Sequence, residues 1–263
     1  MFGPVSLRQR LSDGKAHFGV FLNSESIVVT EIAARAGFDV LLLDYEHSPG
    51  GVDSAVACMN AARGSGTECW VRVAGNQIEY AKKFLDAGAD GIMCPMIHNA
   101  EEAARFVSYT QYPPYGARGL APAATRHSSY GFYRDEYLER ARDDLAVIVQ
   151  IETKEAVDNV EEIAAVDGLN IMFIGPMDLS ASLGHFGDFN HPVVTEAIAH
   201  IEAVAKKHKK PLSTLFMPGQ DLQGMIDRGY NLIFGGGDIA VIRTGLQSMA
   251  GNLKKLAEDA GRA

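Results

Sequence analysis

Two acidic residues directly follow short apolar runs, at positions where a buried strand is expected to end. Glu152 follows the run Ala146–Ile151, and Asp178 comes shortly after the run Ile171–Ile174. Short apolar runs bounded by turn residues are typical of buried parallel strands. The C-terminal ends of such strands form the edge at which α/β proteins bind ligands. Because hard divalent cations prefer carboxylate ligands, the pair predicts a metal site at that edge.

A histidine and an arginine are expected at the same edge. His47 lies just past an earlier apolar run, and its imidazole can exchange protons near neutral pH, so it is a candidate general base. Arg72 lies inside the run Cys69–Val73, where a guanidinium needs a partner or a water-filled cavity. It can bind a carboxylate or stabilise an enolate oxygen. The structural alternative is an ion pair with Asp44 or Glu46.

Further residues are placed to orient a substrate beside these acids. Gln150 lies two positions before Glu152, so both side chains share one face of the strand. The segment Gly175–Asp178 resembles a helix start, and the free amides of Met177 and Asp178 would then face the site. A plain N-cap is the structural alternative for this segment.

Positioning these residues requires a regular alternation of strands and helices, which the sequence predicts. The predicted strands are Phe18–Leu22, Val40–Asp44, Cys69–Val73, Gly91–Met96, Ala146–Ile151, Ile171–Ile174, Leu212–Phe216 and Asn231–Phe234. The predicted helices are Ser24–Ala36, Val52–Arg63, Gln77–Ala87, Ala100–Tyr109, Arg134–Arg142, Thr153–Ala165, Val193–His208, Gln220–Arg228 and Ile239–Glu258. Eight strands alternating with helices favour a closed (β/α)8 TIM barrel. We expect residues 1–263 to form one such domain.

Three segments stand outside this pattern. The loop Gln111–Ser129, which contains Arg118 and Arg126, is long enough to close over the barrel mouth and bind a second charged group. The last helix is longer than a barrel needs, so it packs either on a neighbouring chain or on its own barrel. The glycine-rich stretch Phe234–Asp238 resembles a phosphate-binding turn, although close backbone approach is the stronger interpretation.

Composition excludes several classes of partner. The net charge is −9 and basic residues form no stripe, so a nucleic-acid partner is not expected. No apolar run reaches the length of a membrane span, and the N-terminus lacks the apolar core of a signal peptide. The three cysteines are scattered in apolar surroundings, as buried thiols in a reducing compartment would be. We therefore expect a cytoplasmic protein without a membrane partner.

Six motifs, in this order along the chain, resemble those of one enzyme family. They are FDVLLLDYEHSP, VRVAGNQ, FLDAGADGIMCPM, YPPYGARG, VQIET and FIGPMDLS. Together they are similar to the HpcH/HpaI aldolases, the metal-dependent class II pyruvate aldolases. The resemblance covers nearly the whole chain and implies a TIM barrel of the phosphoenolpyruvate/pyruvate type. It also implies a homo-hexamer, a trimer of dimers, whose last helix is exchanged between subunits.

The resemblance implies roles for single residues. It makes Glu152 and Asp178 the ligands of Mg²⁺, Mn²⁺ or Co²⁺, and His47 the base. It makes Arg72 the group that stabilises the enolate, while Asp86 would support the histidine from a neighbouring subunit.

The remaining implied roles concern substrate binding. Gln150 and the Gly175–Asp178 segment, with the amides of Met177 and Asp178, would bind the pyruvate end. Leu215 would line the aldehyde pocket. Many relatives have a small residue where Met177 stands, so the aldehyde is left open, as are the metal and the pathway.

The expected activity is reversible cleavage of a 4-hydroxy-2-oxo acid to pyruvate and an aldehyde, with both small molecules as the partners. One alternative is decarboxylation of oxaloacetate with capture of the enolate, as in macrophomate synthase. Another is carbon–carbon cleavage of an acyl-CoA, which would call for more basic residues at the mouth. An alternative from another class is an inactive oligomer that binds 2-oxo acids.

Overall fold

A computed structural model describes residues 5–217 and 219–262, and within these ranges eight parallel strands close into one barrel in sequence order. The strands are β1 (His17–Leu22), β2 (Val40–Asp44), β3 (Glu68–Arg72), β4 (Gly91–Cys94), β5 (Ala146–Ile151), β6 (Ile171–Ile174), β7 (Leu212–Leu215) and β8 (Tyr230–Gly237). The register between β2 and β3 places Asp44 opposite Arg72, and β8 closes the barrel against β1. The predicted TIM barrel is confirmed.

Helices connect the strands and surround the barrel. They are α1 (Leu7–Arg10), α2 (Ile27–Arg35), α3 (Val52–Ala61), α4 (Ile78–Asp86), α5 (Ala100–Thr110), α6 (Arg134–Asp144), α7 (Lys154–Asp158), α8 (Val160–Ala164), α9 (Pro176–Ser182), α10 (Pro192–Lys207), α11 (Leu222–Asp227) and α12 (Asp238–Asp259). The predicted helix Thr153–Ala165 is wrong as one element, because it divides into α7 and α8 at Asn159. Asn159, whose φ of −105° and ψ of 9° lie outside the helical range, donates its side-chain amide to the carbonyl of His98 at 3.0 Å, a tertiary contact made at the break.

Alternation along the strands separates two apolar layers. Inward-facing side chains such as Trp70, Ile148 and Phe234 fill the barrel, whereas the alternate residues pack against the helices. Leu7 and Leu11 from the N-terminal segment are buried among the inward-facing residues. Because the amide of Leu7 donates to Glu68 at the start of β3, this segment closes the N-terminal end of the barrel. The C-terminal end is therefore the one left for a site.

The loop 111–133 covers the N-terminal end of the barrel, so the prediction that it closes over the mouth of its own chain is wrong. The amide of Arg126 donates to the carbonyl of Asp86 at 3.0 Å, and Arg126 Nη1 donates to that of Ala87 at 2.9 Å. Both carbonyls lie where α4 ends. A helix that returns from the mouth of a barrel ends at the opposite side, and the loop is anchored there.

The last helix, α12, lies largely clear of its own barrel. Asp238, at its first position, is its buried residue, and its apolar side chains Val241, Leu246, Met249, Leu253 and Leu256 are all exposed. The interpretation that α12 caps its own barrel is therefore wrong. Within the described ranges, no helix combines the length and the apolar character that crossing a bilayer would require.

Candidate active site

Arg72 and Asp44 form a buried ion pair at the C-terminal end of the barrel. Arg72 Nε donates to Asp44 Oδ1 at 2.9 Å, and Nη2 donates to Oδ2 at 2.6 Å. The two residues are opposite each other on neighbouring strands, so both side chains point into the barrel. This bidentate geometry fixes the plane of the guanidinium. The structural alternative for Arg72 is thus confirmed as a contact, and the contact leaves Arg72 at the mouth.

Both members of this pair are charged. Burial alone would raise the pKa of Asp44, but the hydrogen bonds and positive charge of Arg72 bring that pKa below its usual value. Burial would likewise lower the pKa of Arg72, and the Asp44 carboxylate reverses the effect and raises it. The mouth of the barrel therefore contains a fixed guanidinium that stays protonated.

Gln150 extends the network from Arg72 to Glu152. Its Oε1 accepts a hydrogen bond from Arg72 Nη1 at 3.2 Å, and its Nε2 donates to Glu152 Oε2 at 2.6 Å. Glu152 Oε1 accepts a further bond from the backbone amide of Met96 at 2.7 Å. These contacts join β2, β3 and β5 into one polar row inside the barrel mouth.

Glu152 is an acid in an unfavourable place for a negative charge. Its side chain is buried, and burial, together with the nearby carboxylates of Asp178 and Glu46, raises its pKa to about 7. The Met96 amide and Arg72 oppose that rise. A carboxylate in this setting is stabilised by any cation that approaches it.

Glu46 lies between Arg72 and His47. Its Oε2 is 2.9 Å from Arg72 Nη1, yet the angle does not make a hydrogen bond, and this buried oxygen has no hydrogen-bond partner among the described residues. Its Oε1 is 3.8 Å from Nε2 of His47. Burial raises the pKa of Glu46, while Arg72 and His47 lower it. His47 itself is exposed at the rim.

Gly175 gives Glu152 the space it occupies. A Cβ atom at position 175 would lie 2.4 Å from Glu152 Oε2, far inside normal contact. The next residue, Pro176, begins α9, so the predicted helix start is confirmed. Asp178 lies in the first turn, and neither its amide nor that of Met177 has an intrahelical partner. The first turn therefore presents N–H groups and one carboxylate beside Glu152.

The residues present fit one hard divalent cation. Among residues 5–217 and 219–262, no group of three or more His, Cys, Asp and Glu side chains is arranged to hold a metal ion. Glu152 and Asp178 supply two carboxylates, and Glu46, whose buried Oε2 makes no hydrogen bond among the described residues, adds a third acid nearby. Magnesium-like ions are commonly held by one or two carboxylates, with water and substrate in the other positions.

Two of the predicted residues lie apart from this row. Asp86 ends α4 at the opposite end of the barrel, where its carboxylate accepts a hydrogen bond from Arg118 at 2.7 Å. It cannot reach His47 of its own chain from there. Leu215 ends β7, is half-buried and packs against the apolar residues inside the barrel, on the same side as the mouth.

Two further residues that were not predicted from the sequence belong to the network. Asn23, just past β1, donates from Nδ2 to Asp44 Oδ2 at 2.6 Å. Asp238 accepts the amide of Asn23 at 2.9 Å and that of Ser24 at 3.1 Å. The position of Asn23 after a predicted strand was the available signal for it. Within the stretch Phe234–Asp238, Gly237 pairs with Phe21 of β1 and Asp238 accepts these amides, which fits the stronger interpretation of close backbone approach.

Comparison with known proteins adds independent findings. A model of the HpcH/HpaI aldolase/citrate lyase family matches residues 17–244. The chain is 36% identical over 252 residues to the 5-keto-4-deoxy-D-glucarate aldolase of Klebsiella pneumoniae subsp. pneumoniae, a match that covers 96% of this chain and 98% of the relative.

Solved structures agree with this likeness. A HpcH/HpaI aldolase/citrate lyase family protein from Burkholderia cenocepacia J2315 superposes with a TM-score of 0.88 and 34% identity, over 94% of this chain and 98% of that one. Macrophomate synthase superposes with a TM-score of 0.85 over 97% of this chain and 91% of its own. At 24% identity, that second likeness shows the fold alone.

Proposed function

Because this chain belongs to the HpcH/HpaI aldolase/citrate lyase family, we propose which of its residues carry out aldol cleavage and on which class of substrate. The protein is a carbon–carbon lyase that splits a 2-oxo acid into pyruvate and an aldehyde. The observation that carries the residue-level proposal is the row Asp44–Arg72–Gln150–Glu152 at the barrel mouth. This row places the fixed positive charge of Arg72 near Glu152, a buried carboxylate that a bound metal ion would stabilise.

The relative's substrate supports a sugar-acid-derived 2-oxo acid. A 5-keto-4-deoxy sugar diacid can be numbered from the carboxylate beside its keto group. In that numbering it is a 2-oxo acid whose carbon 3 is deoxygenated and whose carbon 4 carries a hydroxyl group. That is the arrangement a retro-aldol reaction needs, because the carbon–carbon bond between the last two positions breaks and the deoxygenated carbon becomes the methyl group of pyruvate. We assign this chain the same class of 4-hydroxy-2-oxo acid.

Glu152 and Asp178 would hold a divalent cation such as Mg²⁺, Mn²⁺ or Co²⁺, which when bound supplies Lewis-acid polarisation of the 2-oxo group. The contacts with Asp44 and Gln150 engage three of the five N–H groups of Arg72. Its remaining N–H groups can donate to the 2-oxo oxygen. Arg72 would thereby stabilise the negative charge that develops there as the bond breaks.

The carboxylate end of the substrate would bind at the start of α9. The first-turn amides of Met177 and Asp178 are the donors, and Gly175 keeps Glu152 and Gln150 close beside them. Leu215 would contact the aldehyde half of the substrate, because it is half-buried at the end of β7 and faces the same mouth.

His47 would take the proton of the 4-hydroxyl group, directly or through a water molecule. The 4-oxygen then forms the aldehyde carbonyl as the carbon–carbon bond breaks. The electron pair of that bond forms the enolate, whose carbon takes up a proton in place of the one His47 removed, and pyruvate results. Asp86 of the partner subunit would raise the basicity of His47. The exposure of His47 at the rim and the position of Asp86 at the far end of its own barrel support a contact between subunits.

A homo-hexamer built as a trimer of dimers, with α12 exchanged between subunits, is part of the same proposal. It is supported by the exposed apolar side chains of α12, which their own barrel leaves uncovered. Light scattering coupled to size-exclusion chromatography measures the subunit number. A cytoplasmic location is proposed as well, supported by the three buried free thiols Cys58, Cys69 and Cys94.

A cleavage assay tests the function. Purified protein with Mg²⁺, Mn²⁺ or Co²⁺ is given a panel of 4-hydroxy-2-oxo acids, and pyruvate is measured enzymatically. We expect pyruvate and an aldehyde in equal amounts. Carbon dioxide from oxaloacetate with no turnover of any hydroxy acid would instead make the protein a decarboxylase.

A further inference from the structure

Asp238 joins the start of α12 to the end of β1. One carboxylate oxygen accepts the amides of Asn23 at 2.9 Å and Ile239 at 2.8 Å, and the other accepts the amide of Ser24 at 3.1 Å. Asp238 is 5% exposed, so these charge-assisted bonds form away from water. The backbone at positions 23–24 is therefore fixed by the first residue of the last helix.

Asn23 connects this fixed backbone segment to the active site. Its Nδ2 donates to Asp44 Oδ2 at 2.6 Å, the same oxygen that accepts Arg72 Nη2 at 2.6 Å. Asp44 Oδ2 thus accepts from both Asn23 and Arg72, while Oδ1 accepts from Arg72 Nε at 2.9 Å and from the amide of Glu46 at 3.1 Å. With its acceptor sites filled in fixed directions, the Asp44 carboxylate has one orientation.

A second acid competes for Arg72. Glu46 Oε2 lies 2.9 Å from Arg72 Nη1 without making a hydrogen bond, and it has no other hydrogen-bond partner among the described residues. If the Asp44 carboxylate were free to turn, the guanidinium would gain by rotating toward Glu46. That rotation would move Arg72 Nη1 away from Gln150 Oε1 and so change the direction of the donors assigned above to the 2-oxo oxygen.

We propose that Asn23 is a positioning residue that holds the Asp44–Arg72 pair in its reactive orientation, and that Asp238 holds Asn23 in turn. The effect on catalysis rests on the proposed role of Arg72. Because Asp238 is the buried residue of α12, the docking of that helix and the direction of Arg72 are coupled through two side chains.

The first test is steady-state cleavage by Asn23→Ala. We expect kcat/KM to fall at least about tenfold, with most of the loss in kcat. The reason is that a misplaced guanidinium loses more of its interaction with the transition state than of its interaction with the bound substrate. Asn159→Ala is the matched control, since that half-buried asparagine also donates from Nδ2, but to the carbonyl of His98 outside the network. The control retains activity within about twofold.

A double-variant cycle separates positioning from general destabilisation. In an Arg72→Lys background the bidentate contact is already lost, so Asn23→Ala should cause little further loss of kcat/KM. If Asn23 only stabilised the fold, Asn23→Ala would instead lower kcat/KM by the same factor in the Arg72→Lys background as in the wild type. Asp238→Asn retains one acceptor oxygen, and we expect its activity to fall between those of the wild type and Asn23→Ala.

Two results would overturn the proposal: wild-type kcat/KM in Asn23→Ala, or losses that add fully in the double variant. If the wild type shows no aldol cleavage at all, the proposed function fails, and a crystal structure of Asn23→Ala still decides the positional claim. Rotation of Arg72 toward Glu46 would support it. An unchanged bidentate contact with Asp44 would contradict it.

Discussion

The side-chain amide of Gln150 donates a hydrogen bond to Glu152 Oε2 at 2.6 Å, which joins an inward-facing residue of β5 to the residue just past the end of that strand. Arg72 fixes which way this amide points, because its Nη1 requires the oxygen of Gln150 and so turns the nitrogen toward Glu152. The substrate-facing guanidinium and the proposed cation ligand are thereby held at a set spacing. The roles of Arg72 and Glu152 can both be tested by changing Gln150, the residue that joins them.

Changing Gln150 to Glu retains the shape of the side chain and removes the donor. The new carboxylate would face Glu152 and draw Arg72 toward itself, so we expect kcat/KM for cleavage to fall by about a hundredfold. Gln223→Glu is the matched control, because Gln223 also donates to a carboxylate, that of Asp227 at 2.8 Å, on the exposed helix α11. Equal activity in the two variants would show that the Gln150 bridge is not used.

A methyl group at Gly175 should displace the proposed cation ligand. The added Cβ of Gly175→Ala would lie 2.4 Å from Glu152 Oε2 and 3.4 Å from Gln150 Nε2, so Glu152 must move. We expect weaker divalent-cation binding by calorimetry and at least about tenfold lower kcat/KM. Gly75→Ala places a methyl group in open space after β3 and should bind the cation like the wild type. Unchanged cation affinity in Gly175→Ala would argue against Glu152 as a ligand.

The stability of the protein should depend on pH through Asp90. Burial raises the pKa of this carboxyl group to about 6, above its unfolded value near 4. The folded protein therefore binds more protons than the unfolded chain between about pH 4 and 6, and the free energy of unfolding falls as the pH rises through that window. Asp90→Asn retains an acceptor for the amide of Cys69 and removes the charge.

We expect urea denaturation of Asp90→Asn to give a higher free energy of unfolding than the wild type at pH 7, and a difference that shrinks toward pH 4. Asp135→Asn is the control, since that carboxyl group is exposed and its pKa is lowered by Arg134. A pH-independent difference between the wild type and Asp90→Asn would refute the assignment.

A contact between Asp86 and His47 across subunits predicts complementation. His47→Ala and Asp86→Ala should each lose most activity as separate proteins. Unfolding and refolding them together should restore part of it, because mixed oligomers would contain sites that combine the intact His47 of one subunit with the intact Asp86 of the next. His47→Ala mixed with Arg72→Ala is the control. Both residues lie at the mouth of the same barrel, so every site in a mixed oligomer would still lack one of them. Recovery in the control alone, or in neither mixture, would contradict the shared site.

Apolar patterning was sufficient to predict the barrel and the residues at its mouth. The strands β2 and β3 are short apolar runs that end in a charged residue, and β5 is an apolar run followed at once by one, so Asp44, Arg72 and Glu152 could be placed at one edge without coordinates. The break at Asn159 and the fold of the loop 111–133 depend on contacts with distant carbonyls, which a local pattern does not encode. The Asn23–Asp238 contact arises only where β8 closes against β1, and no spacing in the sequence indicates it.

In the proposed reaction, Glu152 and a divalent cation act together in cleaving a 4-hydroxy-2-oxo acid. The most direct measurement is pyruvate release by chelator-treated protein, for the wild type and for Glu152→Ala, as Mg²⁺, Mn²⁺ or Co²⁺ is added back. We expect chelation to abolish cleavage, an added cation to restore it in the wild type, and Glu152→Ala to remain at least about a thousandfold less active than the wild type. Full activity of the wild type in chelator, or wild-type activity of Glu152→Ala, would contradict this joint role.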